Sequence, residues 1–331
     1  MNTVYEDGIL NPSDLEAIRI LDQFLPDRIF DAHAHIQDSG YAPGVQLASY
    51  GAQQHKQDML PIFGTTRQLA LNMIVMPTPS LLDEKCRMRS DAFLVEQLEQ
   101  APNTAGEIIV MPTDTPETLS SRLVHPRIRG FKCYHFFSDL PNSWNAEIGD
   151  YLPEAAWQVA NEKKLCITLH MVKDHALADP GNLRYITEMA KRYPDATLIL
   201  AHGARAFASW TGVESVEKVA HLDNVWFDLS ALCESPAMLQ IFKKTGTQRC
   251  MWGSDYPISK MRGKAISMGN SFYWIYKEDL AKFQGKTAFD SWLIGIENLM
   301  AVRQACILGD LSSKNVEDIF YGNAVRLFGG N

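Results

Sequence analysis

The stretch RIFDAHAH, residues 28–35, is an apolar run that ends in two histidines one residue apart, His33 and His35. In a β-strand, residues i and i+2 point to the same face, so the two imidazoles would project side by side. If the strand belongs to a barrel, that face is the interior, and the carboxyl end of the strand opens onto the mouth. Two neutral imidazoles at this place make half of a site for a divalent metal. Taken alone, the pair is equally compatible with a structural role.

Three further apolar runs also end in a candidate metal ligand. They are CITLH at 166–170, which ends in His170, TLILAH at 197–202, which ends in His202, and CMWGSD at 250–255, which ends in Asp255. Each is a short stretch of strand-forming residues with its polar group at the last position. A single histidine or aspartate at such a place is often only hydrogen-bonded or caps a turn. Four strand ends of this kind in one chain favour a metal-centred active site.

Composition narrows the class of protein. The chain has 331 residues, of which 46% are hydrophobic and 21% charged, and this suits a globular protein with a large core. No run approaches the ~20 apolar residues that span a bilayer, and the first ten residues do not resemble a secretory leader. The formal net charge of −8 disfavours nucleic acid as a partner. Six scattered cysteines without a CxxC pair predict buried free thiols, and a cytoplasmic location is the default expectation.

Strand-like and helix-like segments alternate along the chain. Strands are predicted at 29–33, 69–76, 107–111, 130–134, 165–170, 197–202, 225–229 and 250–253. Helices are predicted at 12–24, 82–99, 116–123, 152–163, 183–192, 213–220, 236–244, 289–308 and 315–320. Eight strands with intervening helices predict an α/β protein with a (β/α)₈ TIM barrel as a single domain over 1–331, preceded by a helical extension at 1–27. No glycine-rich fingerprint follows the first strand, which weighs against a dinucleotide-binding sheet.

Two insertions interrupt the alternation, at 36–67 after the first strand and at 256–288 after the last. Both are too long for ordinary connections, and both would lie over the barrel mouth, where active sites of this fold are found. The second insertion carries an aromatic cluster: Phe272, Tyr273, Trp274 and Tyr276. This cluster is either a substrate lid or a packing surface, and the second interpretation makes a homodimer possible.

The candidate ligands suggest a chemistry. Three histidines and one aspartate suit a divalent ion of intermediate softness, zinc first and manganese or iron next. Such an ion polarises a carbonyl and lowers the pKa of its water toward ~7. Asp255 can both hold the ion and accept a proton from the water. The fourth histidine need not bind metal and can act as a general acid or an electrostatic clamp.

These residues resemble the amidohydrolase superfamily, and more narrowly the amidohydrolase-2 branch typified by aminocarboxymuconate-semialdehyde decarboxylase and related lactonases. The matching stretches are FDAHAH at 30–35, IRGFK at 128–132, LAHG at 200–203, WGSDYP at 252–257 and IFYGNAVRLF at 319–328. The resemblance implies a distorted (β/α)₈ barrel, to which the two insertions above add long loops after strands 1 and 8. It also implies one metal ion, held by the four residues His33, His35, His170 and Asp255. His202 would then lie over the substrate, either as a catalytic histidine or as a residue that supports the ligands.

Three other residues are candidate substrate contacts: Lys132, His135 and Arg205. Lys132 lies on the predicted fourth strand, where binuclear members of the superfamily carry a carbamylated lysine that bridges two metals. Here it can be such a bridge, a cation for a substrate carboxylate, or a structural partner of an acid. His135 can reach the site or lie in a surface loop, and the His-Pro pair that the family often shows after this lysine is absent. Arg205 can fork onto a substrate carboxylate or be an exposed arginine at a helix start.

Three functions compete on this basis. The first is hydrolysis of a small carboxylated lactone or amide by a metal-activated water, with Asp255 carrying the proton and His202 stabilising the oxyanion. The second is non-oxidative decarboxylation of an unsaturated or aromatic acid on the same site. The third, a non-catalytic metal-binding barrel, is disfavoured because none of the expected ligands is missing. Hydrolysis is the commoner outcome across the superfamily, so a metal-dependent hydrolase is the primary expectation.

Overall fold

Eight parallel strands form the centre of the molecule in a computed structural model, which describes residues 10–39, 49–280 and 290–329. They are β1 Arg28–Ile36, β2 Gln68–Val75, β3 Ala105–Ile109, β4 Ile128–Cys133, β5 Cys166–Leu169, β6 Thr197–Leu200, β7 Val225–Asp228 and β8 Cys250–Met251. Each strand pairs with the next in chain order. Strands that are buried on both faces, as these are, read as apolar runs in the sequence. The predicted (β/α)₈ barrel is confirmed.

The barrel is closed between β8 and β1 by backbone hydrogen bonds. The Asp255 N–H donates to the His33 carbonyl at 2.8 Å, and the His35 N–H donates to the Tyr256 carbonyl at 2.8 Å. Opposite this seam, the pairing of β1 with β2 shifts register between Asp31 and Ala34. The histidine-rich end of β1 therefore lies against the turn that carries Asp255.

Helices alternate with the strands. They are α1 Pro12–Asp22, α2 Ala52–Phe63, α3 Glu84–Gln100, α4 Pro116–Arg122, α5 Glu154–Lys163, α6 Pro180–Arg192, α7 Ala201–Arg205, α8 Ser209–Val219, α9 Ser235–Thr245, α10 Lys277–Leu280, α11 Ile294–Leu308, α12 Ser313–Glu317 and α13 Asn323–Phe328. Local chemistry sets several starts: Asn11 and Asp14 form a capping box at α1, and Asp83 and Asp179 cap α3 and α6. A π-helical turn, Asp318–Gly322, joins α12 to α13.

Both predicted insertions contain helices or strands that the sequence analysis did not predict. The first holds α2, and the second holds an antiparallel hairpin of β9 Gly263–Met268 and β10 Ser271–Tyr276. Residues 40–48 of the first, 281–288 of the second and 1–9 of the predicted extension lie outside the described residues, as does the start of the helix predicted at 289–308.

The barrel interior is apolar at the end opposite the mouth. Phe328 of α13 stacks on Phe30 of β1, with ring centroids 5.8 Å apart, and this pair belongs to a buried cluster at the amino ends of the strands. Of the six cysteines, five are buried and Cys86 is half-buried, all as free thiols. Among the described helices, none combines the length and apolar character that crossing a membrane requires.

Candidate metal centre

His33 is held by a carboxylate that faces it from β7. The side chains of His33 and Asp228 are buried, and His33 Nδ1 lies 2.9 Å from Asp228 Oδ2. Because a carboxylate only accepts, Nδ1 carries the proton and Nε2 presents its lone pair to the barrel mouth. Burial, and then the charge of Lys132, lowers the pKa of His33 to about 4, so the ring is neutral near pH 7. This is the carboxylate–histidine arrangement that orients metal-binding imidazoles.

Asp255 faces both histidines of β1. Its Oδ1 lies 3.6 Å from His33 Nε2 and 3.4 Å from His35 Nε2. Burial alone would raise the pKa of Asp255, but the neighbouring histidines, His202 foremost, lower it to about 2. The residue adopts a left-handed backbone with φ of 57°, which is uncommon for a residue other than glycine. An ionised carboxylate is therefore fixed beside the histidine pair.

His202 lies in an unusual turn at the end of β6. Four consecutive residues, His202 to Arg205, have left-handed φ values of 55°, 57°, 66° and 59°. The Nδ1 atom of His202 lies 3.1 Å from the Ser230 carbonyl and donates to it, which leaves the Nε2 lone pair free to face the site. One ligand atom each from His33, His202 and Asp255 lie within 4.8 Å of one another, and all three residues are buried.

His35 and His170 border this trio. The His35 ring lies 5.1 Å from that of His33, and its Nδ1 has no hydrogen-bond partner among the described residues. The His170 ring lies 5.2 Å from that of His202 and 4.3 Å from that of Tyr134. Burial lowers the pKa of His170 well below its usual value. The structure thus brings together all five residues that the sequence singled out, with His33, His202 and Asp255 as the most compact set.

The chemistry of this set fits a divalent cation. Binding requires deprotonated ligands, and the pKa values of His33, His170 and His202 are all lowered, chiefly by burial, while that of Asp255 is also low. Neutral imidazole nitrogens with one carboxylate are ligands that zinc accepts readily. The protonation states of these residues and the convergence of their ligand atoms therefore both fit a divalent cation.

Lys132 lies at the base of the site. Its side chain is fully buried, and its Nζ lies 3.3 Å from His33 Nε2. Burial lowers the pKa of Lys132, although the charges of Asp228, Glu107 and Asp255 oppose the shift. Beneath it, Glu107 Oε1 accepts hydrogen bonds from Asn72 at 2.7 Å and Thr168 at 2.9 Å. The barrel centre is thus polar directly below the mouth.

Arg205 and His135 lie beside the site among the rings of Trp144, Phe272 and His170, which together are called the aromatic wall. The guanidinium carbon of Arg205 lies 5.0 Å from the ring centre of Phe272 on β10 and 5.4 Å from that of Trp144. Arg205 is buried, and its Nε has no hydrogen-bond partner among the described residues. The His135 ring is buried between those of Trp144, at 4.3 Å, and His170, at 5.8 Å. The exposed placements considered for both residues are therefore wrong.

The β9–β10 hairpin covers the His202 side of the mouth. Phe207 contacts the His202 ring at 5.3 Å and the rings of Phe272 and Trp274 at 4.9 and 5.3 Å. Tyr273 instead points outward and is 66% exposed, so the predicted aromatic cluster is divided between the two faces of the hairpin.

Sequence reasoning missed three residues next to the site. Asp228 ends the apolar run of β7, so the rule that found the other candidates also applied to it. Asp31 stands in the histidine motif itself, and its Oδ2 accepts a hydrogen bond from His55 Nε2 at 2.7 Å. His55 lies on α2 and is completely buried. No short-range pattern pairs His55 with Asp31, because 24 residues separate them.

Comparisons with known proteins find a matching family and a similar curated protein. The model of a family described as amidohydrolase matches residues 30–330. Among curated proteins, the chain is similar to the L-fucono-1,5-lactonase of Burkholderia ambifaria, with 24% identity over 269 residues, 74% of this chain and 85% of the relative.

Solved structures with the same fold include metal-bound proteins. One is an amidohydrolase from Burkholderia multivorans with bound zinc, at a TM-score of 0.57 and 14% identity, covering 92% of this chain and 99% of that one. Another is the 5-carboxyvanillate decarboxylase of Novosphingobium aromaticivorans, in complex with manganese and 4-hydroxy-3-methoxy-5-nitrobenzoic acid. Its TM-score is 0.56 at 15% identity, covering 93% of this chain and 97% of that one. At these identities the likeness concerns the fold.

Proposed function

The chain belongs to the amidohydrolase family and is an enzyme of that superfamily, and on this premise we propose that it hydrolyses a small carboxylated lactone or amide with the help of a divalent metal. The observation that carries the proposal is the convergence of His33, His202 and Asp255, whose ligand atoms lie within 4.8 Å of one another. The similarity to a curated lactonase favours an ester-like carbonyl as the bond that is cleaved.

We assign metal binding to His33, His35, His170 and Asp255, and the compact trio adds His202 as a candidate ligand. A bound divalent ion would polarise the scissile carbonyl and make a water molecule more acidic. Zinc is the first ion to test, because imidazole and carboxylate ligands suit it.

The chain's own residues account for the proton and the orientation of the substrate. Asp255, ionised near pH 7, is placed to take a proton from the attacking water and return it to the leaving oxygen or nitrogen. His202 donates through Nδ1 to Ser230, so its Nε2 accepts rather than donates. This tautomer favours His202 as a ligand or proton acceptor over the oxyanion-stabilising role expected from the sequence.

Arg205 is the proposed anchor for the substrate carboxylate. A buried guanidinium whose Nε has no hydrogen-bond partner in the described part of the chain is costly unless an anion completes its hydrogen bonds. Lys132 and His135 are proposed as further substrate contacts, Lys132 from the barrel floor and His135 from the aromatic wall.

Decarboxylation of an unsaturated or aromatic acid is the second candidate function. The aromatic rings of Trp144 and Phe272 beside Arg205 favour it, because they suit a flat acid whose carboxylate faces the guanidinium. The arrangement of ligands is compatible with both reactions.

A second metal ion, bridged by a carbamate on Lys132, is the alternative to a single ion. This alternative is supported by the distance of 3.3 Å between Lys132 Nζ and His33 Nε2. Metal analysis distinguishes the two, with about one equivalent per chain expected for the first and about two for the second.

The experiment that tests the function combines this metal analysis with substrate screening. Protein loaded with zinc or manganese is incubated with lactones and amides that bear a carboxylate, and with aromatic acids, while acid release and carbon dioxide are followed separately. Acid release from a lactone, lost in the variant D255N, is the expected result. Carbon dioxide release would establish the second candidate, and the absence of bound metal after reconstitution would contradict both.

A further inference from the structure

Asp31 ties together the two chain segments that carry proposed metal ligands. Its Oδ1 accepts from the backbone N–H of His33 at 3.2 Å and from that of Ser254 at 2.8 Å. The first of these residues is a proposed ligand, and the second precedes Asp255. Asp31 is completely buried, so its hydrogen bonds are made away from water. A single carboxylate oxygen thus fixes the end of β1 relative to the turn after β8.

His55 on α2 fixes that carboxylate in turn. His55 Nε2 lies 2.7 Å from Asp31 Oδ2, and neither side chain is exposed. Nε2 is the donor, since a carboxylate only accepts. His55 Nδ1 has no hydrogen-bond partner among the described residues. Within that part of the chain, the His55 ring is therefore held by its hydrogen bond to Asp31.

The same helix holds the other flank of Asp255. Tyr256, the residue after Asp255, donates its hydroxyl to Asp58 Oδ2 on α2 at 2.7 Å. Lys260 contacts the same oxygen at 2.8 Å, and the rings of His55 and Tyr256 lie 5.1 Å apart. Asp255 therefore has a neighbour on each side connected to α2, which helps to hold its left-handed backbone.

We propose that His55 is a positioning residue, which acts through Asp31 to set the distance between His33 and Asp255 and hence the affinity of the centre for its metal. The proposal rests on the metal-dependent function proposed above. Helix α2 becomes part of the active-site framework, although its His55 and Asp58 act on the proposed ligands only through other residues.

The test compares zinc affinities, measured by competition with a chromophoric chelator, in the wild type and four variants. H55L removes the donor with little loss of volume, and we expect a fall in zinc affinity of about 10- to 100-fold. H55Q can place an amide N–H near the position of Nε2, and we expect its affinity to stay within a few-fold of wild type. H55N is polar but too short to reach Asp31, and we expect it to behave like H55L. It also serves in place of H55L if that variant does not fold.

The matched control is I62A, which destabilises α2 at a buried position whose apolar side chain cannot hydrogen-bond to Asp31. We expect I62A to unfold at lower temperature but to bind zinc as the wild type does. Equal affinities in wild type, H55L and H55N would overturn the positioning role alone, as would an equal loss in H55Q or I62A. A wild type that binds no zinc would overturn both this proposal and the metal-dependent function.

Discussion

The hydrogen bond between His33 and Asp228 defines which imidazole nitrogen faces the substrate side. With the proton on Nδ1, the Nε2 lone pair is available to a cation, and the pKa of Asp228 is held well below its usual range by His33 against the effect of burial. Asp228 also accepts from the backbone N–H of His202 at 3.3 Å. One carboxylate thus orients two residues of the compact trio.

The substitution D228N tests whether Asp228 orients the His33 ring. Asp228 Oδ1 accepts from the backbone N–H groups of His202 and Ser230, so the asparagine keeps its oxygen there and directs its NH2 at His33 Nδ1. A donor at that place favours the other tautomer, in which the proton occupies Nε2. We expect zinc affinity to fall about 10- to 100-fold, as for other partners of metal-bound histidines. The measurement is a chelator competition, with D223N, an exposed aspartate on the preceding loop, as the control. Undiminished zinc affinity in D228N would show that the carboxylate does not orient the ring.

Arg205 leads to a prediction about substrate binding. In R205M the charge-assisted hydrogen bonds to a substrate carboxylate are lost, and each is worth about 1.5–3 kcal/mol. We expect KM to rise about 10- to 100-fold while the zinc content stays unchanged. A methyl ester of the same substrate is the control, since it should be processed about equally by R205M and wild type. If R205M discriminates acid from ester as the wild type does, the carboxylate binds elsewhere.

The backbones of β1 and of the segment after β8 lie very close together where the barrel closes. A Cβ added at Gly253 would lie 2.7 Å from His33 Cβ and 3.0 Å from the His33 backbone nitrogen. Contacts this short force the backbones apart, so only glycine lets the end of β8 approach β1 in this way. The position of His33 depends on a residue that has no side chain.

We therefore expect G253A to lose both stability and metal affinity. Overpacking of this kind costs about 1–3 kcal/mol, which thermal and urea unfolding will detect. The matched control is G149A, whose added Cβ would meet Tyr185 at an ordinary 3.4 Å. Wild-type zinc binding in a folded G253A would mean that the seam adjusts without displacing His33.

Helix α2 shows why some elements escape sequence analysis. Its segment contains Pro61, and a proline in a helix interior removes a backbone hydrogen bond and argues against a helix in the sequence. Its place is set by tertiary contacts, such as that of His55 with Asp31, which no local pattern encodes. The β9–β10 hairpin is a different case, because its two-residue turn, Gly269-Asn270, is a local hairpin signal that the sequence analysis did not use.

The proposed ligands come from strands that are distributed over most of the chain, from His33 to Asp255. A cation held by these residues would join the carboxyl ends of β1, β5, β6 and β8. Saturating metal at 100 times Kd stabilises the folded state by about 2.7 kcal/mol.

Removal of the metal should therefore lower the melting temperature. For a chain of this size, we expect a loss of roughly 5 °C on treatment with chelator. Calorimetry of the loaded and stripped protein measures it, and readdition of zinc is the control for damage by the chelator. Identical melting curves would contradict a metal centre that spans the barrel.

The sequence predicted the barrel and the gathering of five candidate ligands because both depend on local patterns. Apolar runs that end in His170, His202 or Asp255 are visible one at a time, and the fold brings their ends to one rim. The tautomer of His202 was not predictable, since it depends on the Ser230 carbonyl from the next strand's loop. Nor was the burial of Arg205, which requires Phe272 and Trp144 to meet over it.

The left-handed turn from His202 to Arg205 carries two residues with proposed tasks. In the proposed function, His202 would face the bond that reacts and Arg205 the substrate carboxylate, so the turn would set the distance between these two groups. Lengthening a substrate by one methylene would move its carbonyl off the reactive position whenever its carboxylate is seated. Chain length, more than ring size or hydrophobicity, should therefore govern which acids this enzyme accepts.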